Sequence, residues 1–336
     1  MAPQHTPSNR YSPQISRGRR RPSRKQRLRR TTLTFALLGV ALVLTIVYVA
    51  TRGGQSGPAA APPAHLTKPV RSIPSTTATS QPESATTSTA ASNDPFGPGA
   101  VSYAASRTGT IAAAAYDLDT GQHWDLDDAA APQAEASIVK VAILEALLAK
   151  SDGAGLAADE QPTAQAMIEE SDNDSATDLW DDAGGTSGIA SFDSSAGLSD
   201  TTPSQCVQCP GFPWPGWGLT KTTPEDQITL LRLLTGPNSL LTSSEQSYAL
   251  GLMENVTSSE QWGVDGGVPS GVTVALKNGW LPLNDADTDW QINSIGWISG
   301  DGRDYLLAVL STGDPSEQYG IDSIDELSSM VYASFG

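Results

Sequence analysis

The sequence predicts an α/β (α+β) domain, an antiparallel sheet with helices packed on it, preceded by one transmembrane helix. Three observations predict it. Residues 31–50 form an uncharged apolar run directly after a head of ten cations. Strand-like segments lie at both ends of 98–336, and segments with helical apolar spacing fill the middle.

The head, residues 1–30, holds ten Arg and Lys and no acid, whereas 98–336 holds seven basic residues against 35 acidic ones. An acidic body of that kind repels nucleic acid, so no nucleic-acid partner is expected. The run TTLTFALLGVALVLTIVYVA rises about 1.5 Å per residue as a helix and so spans roughly 30 Å, the thickness of a bilayer core. Its cationic flank keeps the N-terminus cytoplasmic and sends the C-terminal remainder of the chain outside. A cleaved signal peptide is the alternative, but the head is long and the run exceeds an ordinary signal core. Residues 31–51 therefore read as an uncleaved anchor. Residues 52–97 are Pro, Ala, Ser and Thr with few large apolar side chains, a disordered linker that holds the domain off the membrane, within a cell wall. The remainder, 98–336, is ample for one domain, expected to be a monomer.

Within it, 108–118 reads as a strand, 119–121 as a turn and 122–126 as the returning strand. Residues 137–150 are apolar at Val139, Ala142, Ile143, Ala146 and Leu147, a helix buried on most sides. A second helix covers 162–170. Ser171 then reads as the N-cap of a third, running to 182 and stopped by Gly184 and Gly185. Residues 185–218 are rich in Gly, Pro and Ser and read as loop. Helices follow at 224–234 and 243–256, strands at 271–277, 289–298 and 305–312, and a last helix from about 316. The terminal strands would form one antiparallel sheet, with the middle helices against it.

Histidine usage removes whole chemistries. Only His5, His65 and His123 exist, the first two in the head and linker, so a multi-His zinc site is excluded and a Ser-His-Asp triad would rest on His123 alone. No cofactor or metal is expected. Lysine is scarce: 98–336 has only Lys140, Lys150, Lys221 and Lys277. Ser137-Ile-Val-Lys140 sets a hydroxyl and an ammonium one helical turn apart at a helix start, where backbone N–H groups can receive an oxyanion. Ser171-Asp172-Asn173 and Lys277-Asn278-Gly279 come next, in that order. By chance such a domain would hold about 0.45 Ser-x-x-Lys, about 0.07 Ser-Asp-Asn and about 0.4 Lys-x-Gly. The middle motif and the order of the three carry the weight. Plainer readings are Ser137 and Ser171 as helix caps, Lys140 as a solvated charge and Asn278-Gly279 as a hairpin turn.

These three motifs, with YDLDTG, SDNDSATDLW, KTTPEDQITLLRLL and GRDYLLAVLST around them, resemble the penicillin-recognising serine hydrolases, most closely the class A β-lactamases. The resemblance spans roughly 100–336. It implies a β-lactamase/transpeptidase-like fold, with Ser137 as acylated nucleophile and Lys140 as its general base. It further implies that Ser171 relays a proton to the leaving nitrogen, Asn173 holds the substrate amide and Lys277 positions the substrate carboxylate. The oxyanion hole would be the backbone N–H of Ser137 and of Trp280, the residue after Gly279.

Three departures stand out. Fewer residues separate the first two motifs than is usual in the family. Asn278 replaces the hydroxyl that contacts a carboxylate, although its amide could donate instead. The Glu-x-x-Leu-Asn loop that supplies the deacylating base is missing: between Ser171 and Thr223 there is no Glu, only Asp, of which Asp193 is the first candidate for a base. Glu169 and Glu170 read as a solvated helix face. In place of that loop stand Cys206-Val-Gln-Cys209 and PGFPWPGWG. Outside the membrane, two thiols three apart are expected to form a local disulfide, while a thioredoxin-like role would need a strand–Cys–helix context. Trp214 and Trp217 would line a cleft or cover the core.

Two readings from different classes result. One is a membrane-anchored extracytoplasmic active-serine hydrolase acting on a β-lactam or a cell-wall peptide; the other is a degenerate penicillin- or peptidoglycan-binding module with little or no turnover. Topology is tested separately. Protease added outside intact cells should degrade 98–336 and spare the N-terminal head, and protection of the domain would overturn the anchor orientation.

Overall fold

The computed structural model describes residues 94–126, 130–284 and 286–335. The basic head, the apolar run and the linker up to residue 93 lie outside the described residues. Among the described residues no helix is long and apolar enough to cross a membrane.

Phe96 is buried ahead of a first helix, α1 (Pro98–Ser106), so packing begins slightly before residue 98. The hairpin β1 (Thr110–Asp117) and β2 (His123–Leu126) forms as the sequence predicts. A short strand β3 (Gln133–Ala134) leads into a 3₁₀ turn, Ala136–Ile138, and the helix α2 (Val139–Lys150). Next come α3 (Gln161–Glu169), α4 (Asn173–Ala183) and α5 (Gly185–Ala196). A second 3₁₀ turn, Gly216–Leu219, precedes β4 (Lys221–Thr222), which pairs with β3. The helices α6 (Pro224–Thr235) and α7 (Ser243–Glu254) and a 3₁₀ turn, Ser258–Glu260, complete the helical middle. The chain ends with β5 (Thr273–Pro282), β6 (Trp290–Gly300), β7 (Arg303–Asp314) and α8 (Glu317–Ser334).

The five long strands form one antiparallel sheet in the order β2-β1-β7-β6-β5. Alternation assigns its faces. Leu306, Ala308 and Leu310 point to the core built by α2–α7, whereas Tyr305, Leu307 and Val309 point to the core shared with α1 and α8. Strands covered on both sides carry apolar residues at both parities, hence the continuous Ile-Ala-Ala-Ala-Ala run of β1. In α2 every residue from Val139 to Leu148 is buried, so this helix runs through the centre of the helical layer.

Two expectations fail locally. Residues 185–218 are not all loop, since α5 forms from the Gly/Ser-rich GTSGIASFDSSA. Left-handed Gly184 and Gly197 bound it, and burial of Ile189 and Phe192 outweighs its poor propensity. The cap of α4 is Asp172, whose carboxylate accepts from Ser175 N at 2.7 Å, not Ser171.

The interior holds several carboxyl groups whose proton affinity is raised by burial. Glu145, on α2, is fully buried, and neither carboxyl oxygen is hydrogen-bonded among the described residues. Glu135 is pushed well above the carboxylate range by burial and by Asp193, and Asp193 is pushed to about 7 by burial and Asp226. Burial is also the main cause for Asp265 and Asp314, each at about 6. Unfolded carboxyls titrate near about 4, so between about pH 4 and 7 these five carboxyls bind more protons in the folded domain than in the unfolded chain. Stability therefore falls as pH rises through that window. The melting temperature is expected to be higher at pH 5 than at pH 7.5, and a flat or opposite trend would contradict this.

Candidate active site

The three sequence motifs converge although they lie on separate elements. Ser137 sits in the 3₁₀ turn that opens α2, after Ala136, which holds a left-handed φ of 50°. A non-glycine residue in that region costs about 1–2 kcal/mol, and such strain persists where packing over-determines the backbone. Asn293, on β6, supplies part of that packing: its Nδ2 donates to Ala134 O and Glu135 O, both at 2.8 Å. Ser171 lies in the α3–α4 connection, again with positive φ (54°).

Lys140 is the second residue of α2, three positions beyond Ser137, and fully buried. Its Nζ meets Ser137 Oγ at 3.0 Å, Ser171 O at 2.5 Å, Ser171 Oγ at 3.1 Å and Asn173 Oδ1 at 2.9 Å. The solvated-charge and cap readings of these residues are thereby excluded. Lys277, in the middle of β5 rather than at a strand end, is also fully buried. It donates to Ser171 Oγ at 2.9 Å and Asn278 O at 3.0 Å, and pairs with Glu260 at 3.5 Å. One hydroxyl, that of Ser171, thus joins the two ammonium nitrogens. Burial and the neighbouring Lys277 pull the Lys140 ammonium well below its ordinary range, against Glu260 and Asp172, which act the other way. Burial lowers Lys277 to about 8, opposed by Glu260. Lys140 is the group poised to be neutral and accept a proton.

β5 is the edge strand of the sheet and runs against the Ser137 turn. A Cβ on Gly279 would lie 2.6 Å from Ser137 N and 2.9 Å from Glu135 O and Ile138 N, so only glycine allows this approach. Alternation along β5 turns Lys277 and Gly279 toward the helical layer and Asn278 and Trp280 away from it. Trp280 accordingly packs with its ring 6.1 Å from Trp262 in the other core. Asn278 is fully buried, and its Nδ2 donates to Glu260 O at 2.6 Å and Trp262 O at 2.9 Å. Contrary to the expectation, its amide has no donor left for a substrate, and it lies within a strand, not a turn.

Cys206 and Cys209 are joined by a disulfide. Trp217 is buried, with Lys140 Nζ 5.1 Å from its ring centroid and its Nε1 donating to Thr177 Oγ1 at 3.1 Å. Trp214 is exposed. Asp193 is buried on α5 and makes no hydrogen bond to Ser137 or Lys140 among the described residues. Glu169 accepts from Gln165 on the α3 surface, in keeping with a solvated face. His123 is exposed on β2, between Asp125 at 2.8 Å and Glu225 at 3.1 Å. These three could ligate a cation, but they lie at the sheet edge opposite β5. The site residues that the sequence reading missed are Glu260, Asn293, Thr177 and the Lys140-facing role of Trp217. No local motif marks them, because each acts across elements.

The profile of the beta-lactamase enzyme family (Beta-lactamase2) matches residues 161–335, just over half of the chain. The chain belongs to the beta-lactamase enzyme family. Ser137 and Lys140 precede the matched stretch. Among solved structures, the TLA-1 extended-spectrum β-lactamase is 18% identical with a TM-score of 0.60, over 70% of this chain and 96% of that one. A β-lactamase from Xanthomonas campestris pv. campestris gives 18%, 0.59, 70% and 96%. The ancestral class A β-lactamase GNCA gives 20%, 0.57, 69% and 96%. These likenesses show the class A fold. No curated protein matches the sequence.

The close approach at Gly279 yields a test. Gly279→Ala should cost about 1–3 kcal/mol by overpacking, read from the urea midpoint. Gly251→Ala, whose Cβ would meet nothing within 4 Å on α7, should be neutral or stabilising by up to about 1 kcal/mol.

Proposed function

We propose that the chain is a membrane-anchored, extracytoplasmic active-serine enzyme that is acylated at Ser137 by a β-lactam or cell-wall peptide and releases the acyl group slowly. The observation that carries this is the contact of buried Lys140 with both Ser137 Oγ and Ser171 Oγ. In the proposed reaction, Lys140 accepts the Ser137 proton as Oγ forms its bond to the substrate carbonyl carbon. The carbonyl oxygen becomes an oxyanion that the N–H groups of Ser137 and Trp280 receive. As the carbon–nitrogen bond breaks, Ser171 gives its proton to the leaving nitrogen and is reprotonated from Lys140. Asn173 keeps its amide N–H groups for the substrate, since Lys140 takes only Oδ1.

Release of the acyl group needs a second activated nucleophile, water. Among the described residues Lys140 hydrogen-bonds no Glu and faces the Trp217 ring, and the sequence has no Glu between Ser171 and Thr223. Loss of a general base commonly costs about 10²–10⁴-fold, which makes an accumulating acyl-enzyme the expected outcome. The apolar run after ten cations supports the anchor, and the Cys206–Cys209 disulfide fits an oxidising compartment.

Intact-mass spectrometry of the full-length chain with a fluorescent penicillin tests the reading. A single stable adduct should form, Ser137→Ala should abolish it, and Lys140→Ala should slow it by about 10²–10⁴-fold. Absence of any adduct would favour the binding module, and rapid turnover would require one of the aspartates to serve as base.

A further inference from the structure

The site's second ammonium is already occupied by the protein. Lys277 has three N–H donors. Two go to Ser171 Oγ and Asn278 O, and its remaining contact is the Glu260 carboxylate at 3.5 Å. Glu260 is itself buried, and its Oε2 accepts no hydrogen bond among the described residues, so Lys277 is the charge that compensates it. Of the seven cations after residue 98, only Lys140 and Lys277 hydrogen-bond a site serine. Arg107 lies on Tyr319, Arg232 on Tyr116, and Arg303 beside Asp301 and Tyr332. Asn278 fixes the arrangement. Its two amide hydrogens bond Glu260 O and Trp262 O, which pins the turn that delivers Glu260 to Lys277. The replaced motif residue and the buried acid therefore act as one unit.

A substrate carboxylate entering beside Lys277 would have to displace one of these contacts and would leave two anions facing one ammonium. An ester or internal amide at the same place meets no such penalty. We propose that the pocket prefers acyl donors whose group beside the scissile bond is uncharged, an ester or an internal amide rather than a free acid, and that Glu260 is the positioning residue that sets this preference through Lys277. This rests on acylation of Ser137 as argued above.

The test compares benzylpenicillin with its methyl ester as acylating agents of the full-length chain, following the Ser137 adduct by intact mass. The ester should acylate about tenfold faster than the acid, the size of effect expected from one unfavourable charge contact in a partly screened site. Glu260→Gln should raise the acid-to-ester rate ratio about tenfold. Asn278→Ala, which frees the Glu260 turn, should raise it in the same direction, and Glu260→Asp, which keeps the charge, should leave it near the unmodified value. A faster acid in the unmodified protein overturns the proposal. So does a Glu260→Gln variant in which both rates move together, as a purely structural role would produce. If neither probe labels Ser137, the acylation reading falls and this inference falls with it. If both label and the acid leads, only this inference falls.

Discussion

Two ammonium groups buried side by side and joined through one serine hydroxyl set the terms for the rest of the domain. Taking a charge out of water is costly unless it is neutralised or closely paired. Lys140 resolves that cost by tending toward the neutral amine in a ring of four oxygens. Lys277 resolves it by pairing with Glu260. The architecture can be read as what holds these two solutions apart: α2 fixes Lys140, β5 fixes Lys277, and the α3–α4 connection hangs Ser171 between them. The strained backbone at Ala136 and Ser171 falls at the two hydroxyl-bearing turns, where positional accuracy matters most.

The disulfide acquires a role in the same terms. Gly216 packs so tightly against Cys206 O and Cys209 Sγ that a Cβ would overlap both, and Gly216 N donates to Val207 O at 2.7 Å. The next residue is Trp217, whose ring covers Lys140. The stapled loop therefore does more than tidy a surface excursion. It holds an aromatic wall on the amine, and an aromatic face excludes water where a carboxylate would order it. In the proposed reaction, that wall would slow the second step alongside the missing glutamate.

What could be read from the sequence was what is local or motif-coded. The hairpin, α2, α6, α7 and the terminal strands follow from apolar period and turn residues, and Ser137, Lys140, Ser171 and Lys277 follow from the order of short motifs. What could not be read depends on contacts between distant segments. Helix α5 has the composition of a loop, and only the burial of Ile189 and Phe192 reveals it. Ser171 looks like a cap because it precedes a helix, yet Asp172 caps and Ser171 is held by two lysines. Strand β5 extends five residues past Lys277, so strand parity turns Asn278 away from the side Lys277 faces. Glu260 lies 17 positions from its partner and carries no motif.

The buried acids behind Ser137 complete the electrostatic picture. Glu135 precedes Ser137 by two residues, takes Gln227 Nε2 at 3.3 Å, and senses Asp193 and Asp226 through a low-dielectric interior. Burial favours the uncharged form of each group, which means a protonated acid for Glu135, Glu145 and Asp193 and a deprotonated amine for Lys140. The same desolvation thus makes opposite demands on pH. The scaffold gains stability as its acids take up protons, while Lys140 becomes able to accept a proton only as its amine gives one up. Lys140 is drawn well below its ordinary range by the same burial that raises the acids, so one environment serves both demands. An amine left in solvent would keep its proton up to about pH 10.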